Sequence, residues 1–103
     1  MFSIHDIRRR CVDGKIKWTV HASKRILQRG IDREDVLRCI MEGEIIEEYP
    51  DYWLGPAGLV FGKGRDGKAL HVVAGVGEFL HIVTVYYPDS ETFEADMKTR
   101  KGR

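Results

Sequence analysis

The chain has 103 residues, 43% of them hydrophobic and 32% charged, with a formal net charge of +1. That composition suits one folded domain with a modest core and excludes a disordered polyelectrolyte. No apolar run approaches the roughly 20 residues of a membrane span, and the opening "MFSIHDIRRR" lacks a secretory h-region, so the cytoplasm is the expected compartment.

In chain order, "FSIHDIRRRCVDG" places Ile4, Ile7, Cys11 and Val12 at helical spacing and stops at Gly14, which predicts a short helix. "KWTV" reads as a short strand. "HASKRILQRG" follows without a gap as a helix, with His21 as a pseudo-cap and Gly30 as the left-handed C-cap. "DREDVLRCIMEG" opens on Asp32 as N-cap, carries acids in its first turn and buries Val36, Leu37, Ile40 and Met41 before Gly43. Two consecutive capped helices predict an αα-hairpin. After Gly43 the pattern alternates. "EIIEEY" and "GLVFG" are strands separated by the turn-rich "PDYWLGPA", and "KGRDGK" carries an Asp-Gly hairpin signal. "ALHVVAGV" and "FLHIVTVYY" are the last strands, joined at Gly77-Glu78 and ended by Pro88. The prediction is one α+β domain over residues 1–103, its core at about 18–92 and a charged, frayed tail at 93–103. N-terminal helices pack on an antiparallel β-meander of about four strands plus a short N-terminal strand.

The last two strands can be read side by side. With a two-residue loop at Gly77-Glu78, His71 opposes Thr84 and Ala74 opposes His81. One face then collects Leu70, Val72, Ala74, Val76, Phe79, His81, Val83, Val85 and Tyr87, and should meet the helices. The other collects His71, Val73, Gly75, Leu80, Ile82, Thr84 and Tyr86, a mixed surface suited to work on a ligand. His81 is then a core or border histidine. His71 and His81 fall on opposite faces, so the repeated "LHVV" and "LHIV" do not make a metal pair. Cys11 and Cys39, without CxxC or ligand spacing, read as buried apolar residues, and neither metal nor cofactor is called for.

Charge is segregated. Residues 1–29 carry eight Lys/Arg against two Asp, and residues 32–51 carry eight Asp/Glu against two Arg. The basic block could attract a polyanion, or the two blocks could neutralise each other in the fold. Within the basic block, His21, Arg25 and Arg29 recur at four-residue steps, one helix stripe beside the apolar Ala22, Ile26 and Gly30. Such a stripe is either a solvated face or a site for something negatively charged. The acidic helix "DREDVLRCIMEG" argues against a DNA-reading helix-turn-helix.

"VHASKRILQRGI", "VLRCIMEGEIIEEYP", "LHVVAGV" and "LHIVTVYYPD" together resemble the DUF4258 family from about residue 18 to 92. The resemblance implies the compact RelE/ParE/BrnT-like fold of bacterial toxin–antitoxin systems. Family motifs fall on His21, Ala22, Arg25 and Arg29, on Leu70 to Val73, and on Ile82 to Tyr86. It also implies an antitoxin-like partner, such as a YgiT-type zinc-finger protein, and RNA or the ribosome as a target. Activity of this kind would be metal-independent RNA cleavage, in which a 2′-hydroxyl attacks the neighbouring phosphate. His21, His71 and Tyr86 would be the catalytic residues, with the imidazoles as base and acid. Arg25, Arg29 and Thr84 would bind the phosphate, and Tyr86 or Trp53 could stack a base.

The rival expectation is a non-catalytic interaction module on the same scaffold. Tyr49, Tyr52 and Trp53 in "EEYPDYWLGPAG" are the aromatics that anchor protein interfaces. The edge strand at 44–49 could also pair with a second copy to give a homodimer.

Overall fold

The computed structural model describes residues 2–52 and 55–102. Its elements are α1 (Ile4–Val12), β1 (Ile16–Trp18), α2 (Val20–Arg29), α3 (Arg33–Glu42), β2 (Glu44–Tyr49), β3 (Ala57–Lys63), β4 (Ala69–Val76) and β5 (Leu80–Tyr86). The sheet runs β1-β5-β4-β3-β2. β2 to β5 form the expected antiparallel meander, while β1 joins β5 in parallel from Ile16–Leu80 to Trp18–Ile82. The fold is α+β, with the helices on one sheet face.

Local chemistry sets the helix ends. The Ser3 N–H donates to the Asp6 carboxylate at 2.7 Å, which opens α1 and holds the Asp6 pKa low. α2 starts one residue before the predicted His21, because Thr19 is its cap. Thr19 Oγ1 accepts from the Ala22 N–H at 3.0 Å and donates to the Val83 carbonyl at 3.0 Å. Gly30, at φ 64°, ends α2 in the left-handed conformation expected of it. α2 and α3 do not rest on a common support as a packed hairpin would. α2 lies along β5, whereas α3 lies over β3 and β4 and touches α1.

The helix-facing core gathers Ile7, Ala22, Ile26, Val36, Cys39 and Ile40 against Val60, Val72, Leu80, Ile82 and Val85. Cys39 is fully buried as expected, and burial pushes its thiol up to about 12. Gly62 lets α3 approach so closely that a Cβ there would lie 2.9 Å from the Cys39 Cα.

The predicted pairing of β4 with β5 needs correction. Val76 opposes Leu80, so the loop holds the three residues Gly77 to Phe79 and the register slips by one. Leu80 and Ile82 therefore enter the core, and His81 and Val83 leave it, the reverse of the prediction for this half. A β-bulge between Val73 and Ala74 then absorbs an extra residue on β5 and pairs Val73 with Thr84 and His71 with Tyr86. Val85 thus points inward, and Thr84 and Tyr86 outward, as predicted.

The C-terminal segment is no frayed tail. Phe93 is only 2% exposed and bridges to Arg100, and the segment folds back over the outer face of the sheet. The acidic block is neutralised from there and from the β3–β4 turn. Arg65 reaches Asp32, Glu34 and Asp35 at 2.8–2.9 Å, and Lys98 and Arg100 reach Glu44 and Glu47. Three arginines of the basic block, Arg8, Arg10 and Arg29, bond to backbone carbonyls instead. Arg8 donates to Ile40 and Gly43, and Arg29 to Val85.

Candidate functional site

Among the described residues no helix covers the outer face of the sheet, and its cross-strand rows read directly from the register. Tyr86, His71, Phe61 and Glu44 form one row; Thr84, Val73, Leu59 and Glu47 the next; His81, Gly75, Ala57 and Tyr49 the third. Strand alternation puts these side chains together, and the bulge adds Val83 to them.

His71 lies at 0% exposure in the first row. Its Nε2 is 2.6 Å from the Met97 carbonyl, which can only accept, so Nε2 carries the hydrogen of the neutral ring. Nδ1 then accepts from the Tyr86 hydroxyl at 3.1 Å. Burial lowers the His71 pKa and outweighs the Met97 carbonyl, which favours the charged ring. Phe61, Tyr86 and Phe93 meet the imidazole edge-to-face, with Phe93 at 4.6 Å between centroids. Burial also raises the Tyr86 pKa, which keeps its hydroxyl protonated as a donor.

Beside this row lies an open groove of about 640 Å³. Val73, Val83 and Thr84 form its floor. Tyr49, Tyr52 and Tyr86 wall it, with Pro50, Glu48 and Asp51 at the rim. Arg100 is the one cation among its described lining residues. It grips Glu47 through Nε at 2.7 Å and Nη2 at 3.2 Å. Tyr49 donates to the same carboxylate at 2.6 Å, and burial together with Glu47 pushes its pKa up to about 12.

The structure brings three of the predicted site residues together: His71, Thr84 and Tyr86. The α2 residues stand in the helix layer. His21 is exposed, Arg25 donates to Gln28 at 2.7 Å, and Arg29 is bonded to the β5 edge carbonyl of Val85. His71 projects from the opposite face of the sheet, so the two imidazoles belong to different layers. Trp53 lies outside the described residues.

His71 and His81 share the outer face after all. They sit four residues apart in register, roughly 13 Å along the strand, too far to ligate one ion. Among the described residues, no three His, Cys, Asp or Glu side chains converge as a metal site. Phe93, Met97 and Arg100 escaped the sequence reading. Their one signal was Phe93, an aromatic inside an otherwise charged stretch.

Such an arrangement defines a small α+β protein with a helix-covered face and a groove on the other. The family model described as "Domain of unknown function (DUF4258)" matches residues 18–87. The chain belongs to the DUF4258 family, and the match leaves α1 and the C-terminal segment outside it. No curated protein and no solved structure matches the chain. No helix among the described residues is long and apolar enough to cross a membrane.

Proposed function

We propose that the protein is the toxin-like member of a cytoplasmic toxin–antitoxin pair, and that the outer-face groove is where it binds an antitoxin-like protein. The observation that carries this reading is the groove's composition. An apolar floor and three tyrosine walls suit an apolar or aromatic anchor from a partner, the chemistry of interface hot spots. The one cation among its described lining residues is already paired with Glu47, and Asp51 at the rim disfavours phosphate. A segment of a YgiT-type zinc-finger protein or a similar partner would lie across Val73 and Val83.

Co-expression with the product of the neighbouring gene tests it. A complex should co-purify, and Tyr52→Ala or Val83→Asp should weaken it tenfold or more. Separate elution of the two proteins at micromolar concentration sinks the proposal.

A second reading, metal-independent RNA cleavage, is favoured by one observation. The Tyr86 hydroxyl stands in the groove wall with a buried neutral imidazole behind it. That pair could relay a proton from an attacking 2′-hydroxyl. In the fuller version His21 is the second acid–base group and Arg25 and Arg29 clamp the phosphate, which would require an RNA that spans both layers. Cleavage in a chelating buffer should then fall about 100-fold in Tyr86→Phe. Equal cleavage by wild type and variant removes this reading.

A further inference from the structure

We infer that residues 89–102 form a detachable strap, an internal occupant of the outer face that an external ligand must displace to reach His71. Four independent features carry this.

The strap's backbone closes on itself. Phe93 N–H donates to Asp89, Glu94 to Thr99, Met97 to Glu94 and Lys101 to Thr92. The Asp89 and Asp96 carboxylates take the amides of Glu91, Thr92, Lys98 and Thr99. Among the described residues, none of its backbone N–H groups donates to the sheet. A unit bonded this way can leave without breaking a strand ladder.

Its ties to the sheet are few and of the kind a competitor could copy. Phe93 rests on His71, the Met97 carbonyl takes the Nε2 hydrogen, Arg100 grips Glu47, and Lys98 reaches Glu44 and lies over the Phe61 ring. All of them fall on two rows, those of His71 and of Glu47, at the side of the groove. An occupant of the groove that extended by one row would meet the strap.

Met97, the tie point, is strained. With φ at 59° it is the one described non-glycine residue in the left-handed region. Strain at the contact that covers a buried polar group favours release. The segment also lies outside the stretch that matches the family, beyond Pro88, which ends β-pairing.

The test is the reactivity of His71 toward diethyl pyrocarbonate in the full chain, mapped by peptide mass spectrometry across low urea concentrations. A detaching strap exposes the imidazole through an opening cheaper than global unfolding, with a shallower urea dependence than the global transition. Arg100→Ala and Phe93→Ala should speed labelling of His71 tenfold or more, while exposed His21 labels at an unchanged rate. Labelling of wild-type His71 only as fast as the whole chain unfolds, with the same urea slope, overturns the inference. That wild-type comparison holds whether or not the variants fold. It is also independent of partner capture, so loss of the proposed antitoxin complex and loss of the strap are separate results.

Discussion

The two faces of the sheet are made from alternate residues of the same strands, yet they are sealed in different ways. The helix side is closed chiefly by apolar contact, Ile82, Val85 and Val72 packing with Ala22, Ile26 and Ile40, while Thr19 and Arg29 bond to β5 carbonyls at its border. On the outer side Leu59, His71 and Phe93 are as deeply buried, but a polar chain runs through them from Tyr86 to Met97 and from Tyr49 through Glu47 to Arg100. Hydrophobic contact is non-directional and tolerant, whereas a buried polar chain fails when any single member is lost. The first face holds the fold together. The second carries the strap beside an open groove, and it is the face proposed for recognition.

The largest expected effect breaks the comparison at its sharpest point, two adjacent residues of β5. Ile82 is fully buried against the helices, and Val83 lies on the groove floor. Ile82→Ala should cost about 2–5 kcal/mol and Val83→Ala under about 1 kcal/mol, read from urea unfolding. Equal costs, or the reverse order, would restore the two-residue loop and its opposite faces.

That pair also marks where the sequence stopped being legible. Helices and strands could be read because period and punctuation repeat over many residues: Ile26, Val36 and Ile40 at helical spacing, Gly30 after α2, Asp66-Gly67 between β3 and β4. The face of β5 depends on one residue of loop length and one bulge. Neither has a compositional signature, so the reading was inverted at Leu80 and Ile82 and right at Thr84 and Tyr86. The same limit hid the cover. Phe93 and Arg100 meet their partners across 22 and 53 positions, from His71 and Glu47, a distance over which pattern carries no information. Tyr49 and Tyr52 were legible as a cluster of aromatics in a turn-rich stretch, and the family was legible in its motifs.

Next in size is Tyr86→Phe. It leaves the volume intact but strips His71 Nδ1 of its donor at zero exposure, which should cost about 1–3 kcal/mol. Thr84→Val, one row away on the groove floor, should stay within about 0.5 kcal/mol. If both changes were neutral, the polar chain would not be what holds the outer face.

A pH titration sharpens the comparison, because the buried imidazole lies on the outer face, while the buried thiol of the helix side, Cys39, is pushed up to about 12. Folding lowers the His71 pKa below its ordinary 6.5, so the unfolded chain binds the proton first. Its contribution is complete above about 6.5 and is lost as pH falls through the lower folded value. Glu47 and Arg100 face the ring with opposing effects and do not reverse that direction. Asp6, Asp35, Asp89 and Asp96, held below 3.8 by hydrogen bonds, act only at lower pH. Stability should fall as pH drops below about 6.5 in wild type and fall less in His71→Leu. Parallel curves would mean that the imidazole is not held neutral.

The smallest effect is expected at His21, the first residue of the polar stripe on α2. The ring is exposed on the first turn of α2, and the capping belongs to Thr19, so His21→Ala should alter stability by under about 0.5 kcal/mol. Arg29→Ala on the same stripe should cost more, about 1 kcal/mol, because it uncovers the Val85 carbonyl at the open edge of β5. Partner capture should be unchanged in His21→Ala and weakened in Tyr52→Ala. Stability that holds in His21→Ala while capture or RNA cleavage collapses would give the opposite answer. The recognition surface would then lie on the helix side, and the groove would be only the seat of the strap.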